Sequence, residues 1–137
     1  MSALSRISVS IETGLLGSFD AQIKAQGYPT RSKAIVDLIR ASLVREEWKT
    51  GAEVAGAIIL VYDHHSRDLS KRLTGIQHDH YELIVSSQHV HLDHDNCLEV
   101  IVARGRPGEV EKLAQKLRAA KGVKYASLAA ASTGSNL

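Results

Sequence analysis

The sequence predicts an α+β protein in two parts: a strand and two helices over residues 1–50, then a strand–helix–strand–strand–helix–strand unit over residues 51–137. Three observations lead there. Ser5 to Ile11 alternates polar and apolar residues strictly, and two stretches of helical periodicity follow it. Beyond Gly51 the patterning changes, and strand-like runs alternate with helix-like ones. The chain of 137 residues is 44% hydrophobic, enough for a packed core, but a part of about 50 residues buries little surface alone and needs a partner chain or a metal.

The elements follow in order. In Ser5–Ile11, Ile7, Val9 and Ile11 point one way, and Arg6, Ser8 and Ser10 the other. Thr13 is placed to cap the next helix, where Leu15, Leu16, Phe19 and Ile23 recur at helical spacing. Gly27-Tyr28-Pro29 breaks that helix. Thr30 or Ser32 caps a second one, which carries Ile35, Leu38, Ile39 and Leu43 on one stripe and runs to about Trp48. Ala55 to Tyr62 is a nearly continuous apolar run, read as a buried strand. Ser66 to about Ile76 is a helix with Leu69, Leu73 and Ile76 on one side. Tyr81 to Leu92 is a strand, Asp93-His94-Asp95-Asn96 a turn, and Cys97 to Ala103 the returning strand. After the break at Gly105-Arg106-Pro107-Gly108, Val110, Leu113, Ala114 and Leu117 mark a helix that Gly122 ends. Val123 to Ala130 is the last strand, and Ser132 to Leu137 is expected to fray. The order of the second part is the split βαβ pattern of ferredoxin-like and regulatory ligand-binding domains.

Composition narrows the function classes. A formal net charge of +2 is no argument for nucleic acid by itself, so any DNA contact must come from a local arrangement of charges. The single Cys97 excludes an intrachain disulfide framework. No signal-peptide pattern opens the chain, and the longest apolar stretch, Ala55 to Tyr62, is too short to span a bilayer. The expectation is a cytoplasmic protein without a membrane partner, its Cys97 reduced. A metal-dependent enzyme ranks low, because there is no His-Glu-x-x-His string and no nucleophile–base pair.

A lone strand leaves its backbone groups unpaired on both edges. Two copies solve this by pairing antiparallel across a two-fold axis. The resulting ribbon presents Arg6, Ser8 and Ser10 twice on one face, and such a ribbon fits the major groove of DNA. The plainer alternative is an N-terminal edge strand with ordinary polar residues outward. Residues 4 to 48, including the Gly27-Tyr28-x-x-Arg31-Ser32 turn, resemble the ribbon-helix-helix family. The resemblance implies that Arg6, Ser8 and Ser10 read bases, and that Arg31 and Ser32, at a helix start whose amides grip a phosphate, position the protein on the backbone.

All seven histidines fall between His64 and His94. In His89-Val90-His91-Leu92-Asp93-His94-Asp95-Asn96-Cys97, His89 and His91 share one side of a strand, and the turn returns Cys97 beside them. Two imidazoles and a thiolate suit Zn, Ni or Cu(II) rather than Mg or Ca. Zinc takes a tetrahedral arrangement; square-planar Ni(II) needs a fourth in-plane donor, which Gln77-His78-Asp79-His80 can offer. The residues alone leave the metal open, and also whether the fourth donor is in the same chain. His64, His65 and His94 read as solvated or supporting residues rather than primary ligands.

Taken together, the first part and the string His-Val-His-x-x-His-Asp-x-Cys-Leu-Glu closely resemble the nickel-responsive regulator family over nearly the whole chain. The resemblance implies a repressor of nickel-uptake genes that binds a double-stranded DNA operator as a homotetramer, a dimer of dimers with an ACT-type core. It implies Ni(II) held in a square plane by His89, His91, Cys97 and His78 of the partner subunit, with Gln77 and Glu99 holding the ligands by hydrogen bonds. Arg67, at the start of a helix, then reaches a phosphate. Two departures stand out. Lys33 occupies a position where relatives carry an acidic residue that joins the position of Asp37 in a cation site between the domains. Ser66 stands where some members have Lys before the residue matching Arg67. A zinc- or copper-responsive regulator of the same architecture is the nearest alternative, and an amino-acid-binding regulatory domain ranks below it.

Overall fold

A computed structural model describes residues 2–137. The chain forms two compact units, one through Arg40 and one from Ala41 to Leu137. The first unit holds helix α1 (Thr13–Ala25) and the first half of α2 (Arg31–Thr50). Residues 2–12 carry no regular element, so the expected strand at Ser5–Ile11 is not formed within one chain. The reason is physical: a strand exists through its ladder, and no second strand is at hand to supply one. Ile7 and Val9 are accordingly 74% and 68% exposed.

Thr13 is the first helical residue of α1 rather than its cap; Glu12 holds the cap position and makes no side-chain capping bond. The far end of α1 is closed as expected. Gly27 has φ 78°, its amide donates to the Lys24 carbonyl at 3.1 Å, and the Tyr28 amide donates to the Ile23 carbonyl at 3.0 Å. That reversal needs a left-handed residue, which glycine supplies without steric cost. Thr30, not Ser32, caps α2, its Oγ1 accepting from the Lys33 amide at 3.1 Å. Leu38, Ile39 and Leu43 remain well exposed, so the apolar stripe of α2 is left largely uncovered by its own chain.

The second unit is an antiparallel sheet of four strands, β1 (Val54–Asp63), β2 (Ile84–His91), β3 (Asn96–Gly105) and β4 (Val123–Ala130), in the order β2-β3-β1-β4. Helices α3 (Arg67–Asp79) and α4 (Pro107–Ala119) complete the βαββαβ order. Ser66 caps α3, accepting from the Leu69 amide. Tyr81–Leu83, expected to begin a strand, form a turn of 3-10 helix instead, and β2 starts at Ile84. Gly105 explains part of this: a Cβ there would lie 2.6 Å from Leu83 Cδ2, so this turn packs where only glycine leaves room.

The strands put alternate residues on opposite faces. Ile58 faces Ile101, Leu60 faces Glu99 and Tyr62 faces Cys97 across β1 and β3. All of these but Glu99 join Leu69 and Leu73 of α3 and Val110, Leu113, Ala114 and Leu117 of α4 in one buried cluster. Each such Val, Leu or Ile side chain contributes about 1.5–3 kcal/mol by leaving water. The other sheet face carries Ile59, Val61, Val100, Val102 and Tyr125, and it is uncovered enough that Tyr125 is 60% exposed. Ser132–Leu137 do not simply fray: Asn136 Nδ2 donates to Glu47, while Trp48 Nε1 donates to the Ala131 carbonyl at 2.8 Å.

Candidate metal centre

The site lies where edge strand β2 meets β3. His91 is the cross-strand partner of Cys97, and His89 that of Glu99. Directly opposed residues point to the same face, so His89, His91, Cys97, Glu99 and Tyr62 all share the helix-covered face. The rings of His89 and His91 stack with centroids 5.3 Å apart. Cys97 is fully buried and donates its S–H to the Tyr62 carbonyl at 3.4 Å. Burial pushes its thiol pKa up, partly offset by its hydrogen bonds to Tyr62. Both imidazoles are exposed, because β2 has no further strand beyond it.

Beneath these donors runs a buried polar chain. Tyr62 Oη donates to Glu99 Oε2 at 2.8 Å, and Gln77 Nε2 donates to Glu99 Oε1 at 2.9 Å. Burial, then the bond to Glu99, raises the Tyr62 pKa far above the usual phenol range. Gln77 and Glu99, both singled out from the sequence, thus meet each other. Tyr62 joins them from β1, a part that the spacing of the histidines and Cys97 does not show. Its signal was the alternation of β1, which puts a phenol on the buried face, where its hydroxyl requires a partner.

His78 occupies the outward face of α3 with Ser70, Lys71, Thr74 and Gly75, away from core-facing Leu69 and Leu73. Its helix position does not turn it toward the sheet of its own chain. Among the described residues, the donor atoms of His89, His91 and Cys97 are not drawn into a group within 4.8 Å. The sets that are so close are Asp63–His64–His65 and His65–His94–Asp95. His64 bridges the two regions, its ring meeting that of His91 edge-on at 4.6 Å. His80 is engaged elsewhere, its Nδ1 lying 2.9 Å from the Ile76 carbonyl.

The donor chemistry fits a borderline divalent ion. Two imidazoles and a thiol offer nitrogen and sulfur ligands with no hard oxygen among them, and Tyr62 meets two of the three, its carbonyl accepting from Cys97 and its ring centroid lying 5.8 Å from that of His89.

The expected DNA-contacting residues are all exposed: Arg6, Ser8, Ser10, Arg31, Ser32 and, as first residue of α3, Arg67. Arg31 is held by Asp20 through two bonds of 2.8 and 2.7 Å, linking α2 to α1. That guanidinium also holds the Asp20 carboxyl below the usual carboxylate range. Lys33 Nζ lies 2.5 Å from Asp37 Oδ1, so the departure noted at residue 33 places an ammonium directly on that carboxylate.

Residues 55–131 match the family model described as the NikR C terminal nickel binding domain. The chain is 54% identical over 132 residues to a protein of Chlorobaculum tepidum named "Putative nickel-responsive regulator", covering 96% of this chain and 98% of that one. Proteins of the same name from Chlorobium limicola and Desulfovibrio desulfuricans are each 50% identical, over 98% and 100% of this chain and 100% and 99% of theirs. Among solved structures, an uncharacterized protein from Thermotoga maritima aligns with a TM-score of 0.52 at 13% identity, over 57% of this chain and 96% of its own. That likeness concerns the fold alone.

Proposed function

Since this chain belongs to the nickel-responsive regulator family, we propose that it is a nickel-dependent, DNA-binding transcriptional repressor, of nickel-uptake genes, acting as a homotetramer built as a dimer of dimers. The observation that carries this reading is the arrangement around β2. Two exposed imidazoles on the edge strand stand beside the buried Cys97 of β3, with the chain of Tyr62, Glu99 and Gln77 on the same sheet face, while His78 faces outward from α3.

His89, His91 and Cys97 hold Ni(II), and His78 of the partner subunit completes the set. Bound there, nickel supplies one positive centre that ties donors of two subunits together. Glu99 keeps Gln77 and Tyr62 in fixed orientation, so the donor-bearing strand and the helix bearing His78 form one unit. The uncovered apolar face around Val100, Val102 and Tyr125 supports further burial between copies. No helix is long and apolar enough to cross a membrane.

DNA contact falls to the N-terminal segments. Paired across a two-fold axis, Ser5–Ile11 of two chains bury Ile7, Val9 and Ile11 and turn Arg6, Ser8 and Ser10 to the bases. Arg31 and Ser32 position the backbone, Arg31 exchanging Asp20 for a phosphate, and Arg67 adds a contact from the start of α3. Metal and DNA are then linked: whatever factor nickel adds to operator affinity, DNA adds to nickel affinity. A DNA-binding assay run with each divalent metal in turn tests this. Operator binding that rises with nickel at concentrations where zinc and copper have no such effect is expected; binding that ignores nickel, or follows zinc or copper instead, overturns it.

A further inference from the structure

We propose that His65, His94 and Asp95 form a second divalent-metal site, separate from His89, His91 and Cys97, which takes a borderline ion such as Zn(II) on the protein surface. The three residues come from two segments, the end of β1 leading into α3 and the turn between β2 and β3. Their ligand atoms all lie within 4.8 Å of one another. His94 Nδ1 stands 3.0 Å from Asp95 Oδ1, and His65 Nε2 stands 3.7 Å from the same oxygen. The two rings are 5.1 Å apart.

Both segments are fixed before any ion arrives. Asp93 Oδ1 accepts from the amides of Asp95 and Asn96 at 2.9 and 2.7 Å, which sets the turn. These bonds hold the Asp93 carboxyl below the usual carboxylate range. The amide of His65 donates to Asp63 Oδ1 at 2.9 Å, and the amide of His64 donates to the Asp95 carbonyl at 3.3 Å, joining the segments. A site with ligands already placed spends less conformational freedom on binding.

The ligand set is chemically coherent. Two imidazoles and one carboxylate are a common grouping for zinc and other borderline ions, with the remaining positions open to water. His65 Nε2 now lies 2.8 Å from the His94 carbonyl; on binding, its proton passes through solvent to Nδ1, and Nε2 releases that carbonyl and turns its lone pair to the metal. The overlapping group Asp63–His64–His65 is less available, because the Asp63 carboxylate already serves the His65 amide. All three proposed ligands are well exposed, as a site that exchanges its ion with solvent requires. The proposal does not rest on the nickel reading, since it shares no ligand with it.

Equilibrium dialysis of the full chain against Zn(II) tests the site. The variants are His65→Gln combined with His94→Gln, Asp95→Asn, and, for the other centre, His89→Gln. The wild type is expected to bind one more ion per chain than the His65/His94 double variant. Asp95→Asn should weaken that same class about tenfold or more, and His89→Gln should leave it in place. Circular dichroism checks that the variants keep the wild-type fold, and Asp95→Asn, which alters neither size nor backbone, stands in if the double variant fails to fold. Equal stoichiometry and affinity in wild type, double variant and Asp95→Asn would overturn the proposal. So would loss of the extra ion in His89→Gln alone.

Discussion

The side-chain amide of Gln77 donates to Glu99 Oε1 at 2.9 Å, and this one bond couples the helix that carries His78 to the strand that carries Cys97. Glu99 is only 7% exposed and sits directly across from His89. Replacing Gln77 by Ala leaves a buried carboxylate oxygen without its donor. Nickel affinity of Gln77→Ala should fall about 10- to 100-fold, and the orphaned oxygen should also lower the stability of the fold by about 1–3 kcal/mol. Competition titration with a metallochromic chelator reads the affinity; an unchanged value would mean that the bond serves packing alone.

Proton release gives a second prediction. Burial raises the Cys97 thiol pKa, so at neutral pH the sulfur carries its proton and must lose it to act as a ligand. Nickel affinity therefore rises with pH. Calorimetric titrations in two buffers of different ionisation enthalpy should differ by the heat of the released protons, and Cys97→Ser should shrink that difference. Heats independent of buffer would contradict the assignment of Cys97 as a ligand.

The N-terminal segment yields a third. Ile7 and Val9 are too exposed to be at rest in a single chain, and a charge on the apolar side of the proposed ribbon has nowhere to go. Val9→Asp should abolish operator binding and lower the association state in sedimentation, with unit Ala41–Leu137 still folded by circular dichroism. Full operator binding by this variant would remove the ribbon from the account.

Arg6 tests readout rather than assembly. A bidentate arginine–guanine contact discriminates by about tenfold to a hundredfold. Arg6→Ala should lose that much preference for operator over random DNA in anisotropy titrations, with nickel affinity intact. A uniform loss on all DNA would make Arg6 a backbone contact.

Local pattern carried much of this architecture. A nearly continuous apolar run located β1, a helical stripe located α4 and the break at Gly122 set off β4, while the strictly alternating Ser5–Ile11 forms no strand within one chain; Ser66, one of two residues read near the start of α3, is its cap. Thr13 misled because caps are decided by backbone geometry, and Glu12 has the extended conformation that the cap requires. The 3-10 turn at Tyr81–Leu83 was hidden for a similar reason: its cause is the packing of Leu83 against Gly105, residues far apart in sequence. Of the site, spacing alone put His89 and His91 on one side and returned Cys97 to them. The bonds Tyr62–Glu99, Arg31–Asp20 and Asn136–Glu47 link distant segments, and no local periodicity encodes such pairs.

The central claim is that each nickel centre is shared between two chains, and mixing two crippled variants tests it most directly. His78→Ala lacks the donated imidazole and Cys97→Ala lacks the receiving thiolate, so neither alone builds a complete centre. In mixed oligomers, a His78→Ala chain keeps His89, His91 and Cys97 and meets an intact His78 of the partner subunit. The account predicts that co-refolded mixtures regain nickel-thiolate absorption and part of the operator binding that both parents lack. Mixtures that show no more than the sum of the two parents would contradict it.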